Sequence, residues 1–432
     1  MTTVRILFIS SNLASSLHGG WQCASRNLES MKRIAGEGAV DLEILPPFTV
    51  NSRTDPVKRL WHALSALTRV IFTLRINGSS LGRERRIIEK LKQQSYTHIF
   101  VDSSLNGLLI RKIKKRTGVR VIVFFHNCEF SFIRRHLQSG NVGSVFRLLP
   151  AFVNEKLSVR YADCTVALNR RDGKLIEKLY GIPHALRIIP ISLHDRFGHF
   201  HRWTQDGDTA TEKVRTALFI GSNFYANRSG IEWFIAHVLP LVDIRLVIAG
   251  KGMDQLPHPR IELHGSAPSL EAFYARADFV IAPIFTGGGM KVKIAEALMY
   301  DKPIIGTAEA LEGYERTNSI VVCNTASEFV SAIRTLATSP ALTGSRRLSR
   351  SVFIRRHASS VQDLARMLVY LSVFTTALGL LCIGNRRNIP VAVWMSLGLL
   401  IVFSGLRDGV GIDFPAYWDL YRGNEYSQSE AG

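Results

Sequence analysis

Acidic residues are scarce in this chain. Thirty-five Asp and Glu stand against 54 Lys and Arg, a formal charge of +19 over 432 residues. Such a balance points to an anionic partner, and on charge alone nucleic acid, acidic lipid and phosphorylated substrates all fit. The basic residues are dispersed, with no zinc spacing, RNP-like aromatic motif or basic zipper, which argues against nucleic acid. Cysteine is scarce too. Cys23, Cys128, Cys164, Cys323 and Cys382 are far apart and odd in number, which argues against a disulfide framework or a metal cluster and for a reducing compartment. The opening MTTVRILFISSN lacks a charged segment followed by a long apolar run, so it reads as a first strand rather than a cleaved signal peptide. No short-period repeat occurs. What remains is length for two or three domains and a hydrophobic fraction of 46%, which fits a globular protein with some membrane-like sequence.

The stretch around which the rest is organised is Thr286 to Thr307, TGGGMKVKIAEALMYDKPIIGT. It reads as a strand end, the turn Gly287-Gly288-Gly289, a helix from Lys291 to Tyr300 and a new strand. Glycines ahead of a helix expose backbone N–H groups, and the helix N-terminus favours an anion. Lys291 and Lys293 add mobile positive charge, and Glu296 lies one turn beyond Lys293 on nearly the same face. An anion site beside a carboxylate suits a nucleotide diphosphate, with ribose hydroxyls on Glu296. The same residues also read as a glycine turn ahead of an amphipathic core helix with solvated lysines.

Before this stretch the chain alternates strands and helices. Val4 to Ser10 is apolar and runs into a loop closing with His18-Gly19-Gly20, ahead of a helix from Trp21 to Ile34. Strand, glycine loop, helix opens a doubly wound domain, whose ligands gather at the carboxyl ends of the strands; a plain tight turn reads equally well. Leu42 to Leu45 is the next strand. Val57 to Lys92 is basic and amphipathic, a core helix with a solvated face or one lying on an anionic membrane. His98 to Asp102 and Val119 to Phe125 are buried strands, with the basic helix end Arg111 to Arg116 between them. The second of these strands ends at His126-Asn127-Cys128-Glu129, where His126 is either a donor, acid or base for a substrate or a satisfied structural residue. Glu155 to Ala162 reads as a helix, Asp163 to Ala167 as a strand, Asn169 to Tyr180 as a helix and Ile188 to Ile191 as the last strand of this half. His194 to Lys213 lacks periodicity and is the linker, without ligand-like histidine spacing.

A second alternation follows. Strands are expected at Ala217 to Ile220, Ile244 to Ala249, Ile261 to His264, Phe279 to Pro283, Pro303 to Thr307 and Ile320 to Cys323. Helices fall through Trp233 and Phe234, and at Leu270 to Ala277, Lys291 to Tyr300 and Ser327 to Ala337. The pattern predicts an α/β protein of two Rossmann-like domains facing a cleft, 1–200 and 214–360. Met367 to Gly384 and Ile389 to Leu406 are uncharged apolar runs at the short end for a membrane span, which suggests a helical hairpin and tail at 367–432.

The ordered segments LFIGSNFYANRSGIEWF, LVIAGKGM, HGSAPSLEAFYARADFVIAPI and GGGMKVKIAEALMYDKPIIGT, with the HGG loop and HNCE in the first half, resemble a retaining glycosyltransferase of the GT-B fold, close to family 4. The resemblance covers about residues 4 to 360. It implies that the first domain holds the acceptor and the second a nucleotide-diphosphate sugar. Glu296 matches the second, ribose-binding glutamate of the Glu-x7-Glu motif. The first glutamate falls at Gly288, as in a subgroup where a glycine run offers backbone amides in its place. Lys291 and Lys293 become diphosphate ligands, Gly19 and Gly20 approach the phosphates from the other domain, and His126 contacts the donor sugar near the reacting carbon. The usual Arg and Lys of the first loop of the second domain are missing, and Asn227 and Arg228 stand where a substitute would be.

The resemblance further implies transfer to an acceptor hydroxyl with retention, the diphosphate leaving from the face the acceptor attacks. Neither a metal nor a cofactor is expected. A polyprenyl-pyrophosphate-linked acceptor of exopolysaccharide or surface-glycan synthesis, at the cytoplasmic face of a bacterial inner membrane, suits the basic charge and apolar tail. FSGLRDGVGIDFPAYWDLY is similar to an EpsG-like exopolysaccharide polymerase just after its first spans, so the tail is either an anchor or a fused polymerase fragment. A two-span hairpin would place Arg386 and Arg387 outside, against the positive-inside rule. A nucleotide-sugar epimerase of the same fold, or a membrane-associated scaffold with a degenerate sugar site, shares these features.

Overall fold

The computed structural model describes residues 4–14, 19–46, 68, 70, 72–138, 140, 142–195, 214–253, 256, 258–267, 269–338 and 350–368. The first half runs β1 (Ile6–Ser10), α1 (Gly19–Ala35), β2 (Val40–Ile44), α2 (Leu81–Gln93), β3 (His98–Val101), α3 (Gly107–Arg116), β4 (Arg120–Phe125), α4 (Glu129–Gln138), α5 (Val145–Tyr161), β5 (Cys164–Ala167), α6 (Arg170–Tyr180) and β6 (Leu186–Ile188). Its six strands pair in the order β2-β1-β3-β4-β5-β6, each pair parallel. Every residue of β1, β3 and β5 is buried, as expected of strands covered by helices on both faces. Leu7, Ile9, Val101 and Val123 of the sheet pack with Ile87, Ile110 and Ile113 of α2 and α3.

The second half repeats the plan with β7 (Arg215–Ile220), α7 (Tyr225–His237), β8 (Ile244–Ala249), β9 (Ile261–His264), α8 (Glu271–Arg276), β10 (Phe279–Ala282), α9 (Val292–Met299), β11 (Ile304–Gly306), β12 (Ile320–Val322) and α10 (Ala326–Thr338). Its six strands pair in the order β12-β11-β10-β7-β8-β9, again all parallel. Phe219, Ile248, Phe234 and Phe329 centre its core. A last helix, α11, covers 350–364 of this compact unit. It returns to the first sheet, where Ser360 donates to the Pro190 carbonyl at 2.8 Å and Arg350 pairs with Asp195 at 2.6 Å.

Strand order reverses between β1 and β3 in one sheet and between β7 and β10 in the other. The crevices beyond the carboxyl ends of those strands are where an open parallel sheet binds its ligands. The turns after β1, β3, β7 and β10 are therefore the ones to search.

Three departures from the expected pattern have physical causes. Leu74, Asn77 and Gly78 take positive φ, dividing the long basic segment so that α2 starts at Leu81, capped by Ser80. Trp61, Leu64, Leu67 and Ile71 of its apolar stripe lie outside the described residues. Helix α5 starts at Val145, ten residues ahead of Glu155, and runs through Pro150; an interior proline ordinarily ends the pattern. Helix α4 is capped from a distance, for Glu155 accepts from the Glu129 and Phe130 amides at 2.8 and 2.9 Å, so no local signature marks its start. Residues 196–213 of the expected linker also lie outside the described residues. So do the apolar runs beyond Leu368, and among the described residues no helix is long and apolar enough to cross a membrane.

Gly230 sits inside α7 where a Cβ would stand 1.9 Å from the Pro283 carbonyl oxygen. Its absence of a side chain lets α7 rest on the backbone leaving β10. Gly230→Ala is expected to lower the thermal unfolding midpoint by about 3 °C, since overpacking a close backbone contact costs about 3 kcal/mol. An unchanged midpoint in scanning fluorimetry would mean that α7 shifts without cost.

Candidate active site

Helix α9 starts at Lys291, an N-cap in extended conformation with no side-chain cap hydrogen bond, and its first turn has no acidic residue. The Lys291 ammonium folds back on the glycine turn, donating to the carbonyls of Gly288 and Gly289 at 3.1 and 3.2 Å and pairing with Glu309 at 3.2 Å. It is a staple for the turn rather than mobile charge. Lys293 goes elsewhere. It lies over the Phe219 ring, 4.5 Å from its centre, and donates to Asn227 Oδ1 at 2.9 Å. Burial, with the charge of Lys291, brings its pKa down to about 7, against the pull of Glu296. Lys293 forms no ion pair among the described residues.

Helix α1 of the first half meets α9 end to end. A Cβ on Gly19 would stand 2.7 Å from Val292 Cγ2, so the glycine is what lets the two N-termini come together, and Gly20 continues the first turn of α1. No acidic residue occupies the first turn of α1 either. Two helix N-termini with their positive dipole ends thus converge beside Lys293. One turn into each helix, Gln22 donates to the buried carboxylate of Glu296 at 2.8 Å, and the Tyr274 hydroxyl donates to it at 3.3 Å.

The opposite wall is built at the switch point of the first sheet. Asp102, just past β3, is fully buried. It accepts from Ser10 Oγ at 2.9 Å, Asn12 Nδ2 at 3.1 Å and Asn27 Nδ2 at 3.3 Å. His126, just past β4, places Nε2 3.2 Å from Asp102 Oδ1 and 3.0 Å from Asn12 Nδ2. Burial depresses the His126 pKa, but the Asp102 charge and hydrogen bond, aided by Cys23, outweigh it and hold the pKa well above the usual 6.5. The ring is assigned as an imidazolium donating to Asp102. Neighbouring Glu129 is pushed up by burial, with Arg147, His126 and Asn127 acting against it.

The glycine turn closes the space from the second half. Gly287 and Gly289 take φ of 146° and 59°. A Cβ on Gly289 would stand 2.6 Å from the His126 carbonyl oxygen, and one on Gly288 would stand 2.9 Å from Arg135 Nη2. Beside this contact Phe132 stacks on Phe224 and His136 on Tyr225, at centroid distances of 5.6 and 5.0 Å.

The structure thus gathers Gly19, Gly20, His126, Asn227, Gly287, Gly288, Gly289, Lys291, Lys293 and Glu296 around one cleft. Arg228 is not drawn in, for its guanidinium pairs with Glu232 on the same helix. Asp102, Asn12, Gln22 and Arg135 join the cleft without having been singled out. The polar residues Ser10, Asn12 and Asp102 at the ends of two adjacent buried strands were the available signal for the first group. Arg135 had none, since α4 itself was not foreseen.

Residues 214–339 match the family model described as glycosyl transferases group 1. Solved structures share the fold. Sucrose-phosphate synthase from Thermosynechococcus elongatus is 14% identical over 86% of this chain and 99% of its own, with a TM-score of 0.58. HepE from Anabaena, in complex with UDP and glucose, is 12% identical over 85% of this chain and 99% of its own, with a TM-score of 0.59. A trehalose-6-phosphate synthase studied for glycosyltransfer with retention is 12% identical over 85% of this chain and 99% of its own, with a TM-score of 0.54. At such identities the likeness is one of fold, the two-domain α/β arrangement called GT-B. No curated protein matches the sequence.

Proposed function

We propose that the chain transfers a sugar from a nucleotide-diphosphate sugar to an acceptor hydroxyl, with retention at the anomeric carbon. The observation that carries this reading is the meeting of the α1 and α9 N-termini at Gly19 and Val292, beside a lysine without a carboxylate partner among the described residues. The group 1 domain at 214–339 supports it, as do a neighbour of the same fold that holds UDP and glucose and one studied for retaining transfer.

In this reading the diphosphate takes the N–H groups of both helix ends and the Lys293 ammonium, and the ribose hydroxyls donate to Glu296 where Gln22 now does. The sugar extends toward His126 and the glycine turn. The bond from the anomeric carbon to the diphosphate oxygen breaks, and its electron pair stays on that oxygen, where the helix ends and Lys293 stabilise the growing charge. The acceptor oxygen bonds to the anomeric carbon from the same face, and its proton passes to the departing diphosphate. Among the described residues Asp102 accepts from four side chains and Glu296 from at least two, so neither is poised as a nucleophile, which favours same-face departure over a covalent intermediate. The division into an acceptor domain at 1–200, a donor domain at 214–360 and a membrane-associated tail at 367–432 belongs to the same reading. The excess of basic residues and the apolar tail suit a lipid-linked pyrophosphate acceptor of surface-glycan synthesis at the cytoplasmic face of a membrane.

The test is nucleotide binding and turnover. UDP and GDP, screened by thermal shift, should identify one that raises the unfolding midpoint. Glu296→Ala should then weaken its binding by about tenfold or more, the loss expected for hydrogen bonds to a charged group. If both Glu296→Ala and Lys293→Ala turn over a nucleotide sugar like the wild type, the site assignment falls.

A further inference from the structure

The cleft holds one cation that the transfer reaction leaves unused. Arg135 projects from α4 to the glycine turn, its Nη2 2.9 Å from where a side chain on Gly288 would begin. Gly288 is thus vacant of a side chain at the point where a guanidinium from the other half arrives. The adjoining Gly289 lies against the carbonyl of His126, so Arg135, His126 and the turn wall the same end of the cleft.

Three other cations near the turn are neutralised. Lys291 pairs with Glu309 at 3.2 Å, Arg171 with Glu309 at 2.7 Å and Glu312 at 3.7 Å, and Arg228 with Glu232. Arg135 forms no ion pair among the described residues, and its Nε is buried without a hydrogen-bond partner. A partly buried guanidinium lacking a counter-charge is costly to keep, and the cost is recovered when an anion arrives. The diphosphate has its own partners in Lys293 and the two helix ends, so a second anion is called for beyond it. A guanidinium fork matches a carboxylate in a bidentate pair that no hydroxyl can imitate.

We propose that the donor sugar is itself acidic, a nucleoside-diphosphate hexuronate, with Arg135 reading its carboxylate. This rests on the donor-site reading above and deepens it. The carboxylate makes and breaks no bond during transfer; it selects the donor and sets the angle at which the anomeric carbon faces the acceptor. Arg135 is therefore a specificity residue.

Matched pairs test it on the purified full chain by calorimetry: UDP-glucose against UDP-glucuronate, GDP-mannose against GDP-mannuronate, with UDP and GDP alone as references. For the nucleotide that binds, the acidic sugar should bind about tenfold or more tighter than the neutral one. Arg135→Gln should collapse that ratio to near one, and Arg135→Lys, which keeps the charge without the fork, should retain part of it. Unfolding midpoints of both variants control for folding. An acidic donor that binds no tighter than the neutral one overturns the proposal. So does an Arg135→Gln variant that loses bare nucleotide and acidic donor by the same factor, because Arg135 then serves the diphosphate. The references judge the parent reading separately: if neither UDP nor GDP binds, the donor site falls and this inference with it.

Discussion

Replacing Lys293 by methionine is expected to lower turnover of a nucleotide-sugar donor by about a hundredfold or more, the usual consequence of removing one positioned donor from a developing oxyanion. Methionine keeps a long apolar stem over Phe219, so packing under the site is retained and the loss reports charge. The same residue gives the reaction a pH signature. Buried and empty, Lys293 has a pKa of about 7. A bound diphosphate favours the ammonium and raises that value, so between pH 7 and the raised value the complex holds more protons than the free protein. Affinity should therefore fall as pH rises above 7, by up to about tenfold per unit, since binding is linked to the uptake of one proton. A diphosphate esterified at both ends has no proton of its own to lose in this range. Calorimetry at pH 8 in two buffers of different ionisation enthalpy should give different apparent enthalpies for the wild type and equal ones for Lys293→Met. Equal enthalpies in the wild type would mean that Lys293 does not titrate on binding.

The alternation of buried strands with helices was legible because parallel strands covered on both faces leave continuous apolar runs. Ile244–Ala249 and Ile261–His264 fall where the pattern puts them. Lys293 and His126 could be singled out because each stands at a recognisable turn or strand end, and Glu296 because it lies one helical turn beyond Lys293. What no local pattern carries is the set of contacts between distant segments. Lys291 and Lys293 look alike along the chain, yet one is clamped to Glu309 and the other reaches Asn227. Gly19 reads as room for a ligand, while its nearest neighbour is Val292 of the facing helix. Gly107 and Gly230 are both places where a helix touches another backbone, and a Cβ there would stand 1.9 Å from the carbonyl oxygens of Asn154 and Pro283 respectively. The cap of α4 comes from Glu155, so the helix that carries Arg135 is specified by a residue on the next helix.

Asp102 is another residue of that kind, and its removal is the second large effect expected. The carboxylate joins the turn after β1, helix α1 and the end of β4 through Asn12, Asn27 and His126. Asp102→Asn keeps the volume but turns one acceptor oxygen into an NH2 group facing donors, and it leaves the His126 imidazolium without its counter-charge. Breaking a buried charged pair in this way costs about 3 kcal/mol or more, a drop of several degrees in unfolding midpoint for a chain of this size. The pH dependence follows from the raised pKa of His126. A histidine whose folded pKa exceeds its unfolded value contributes stability that is fully present below 6.5 and lost as pH rises through the folded value. The gap in midpoint between wild type and Asp102→Asn should therefore be widest near pH 6 and narrow toward alkaline pH, leaving at high pH only the part due to unpaired donors. Turnover should fall in parallel, because the variant imidazole reverts toward the neutral form and loses the orientation Asp102 imposes. A gap that stays constant from pH 6 to pH 10 would show that His126 is not the protonated partner of Asp102. Its role beside the sugar would then be that of a neutral hydrogen-bond donor held by Asn12.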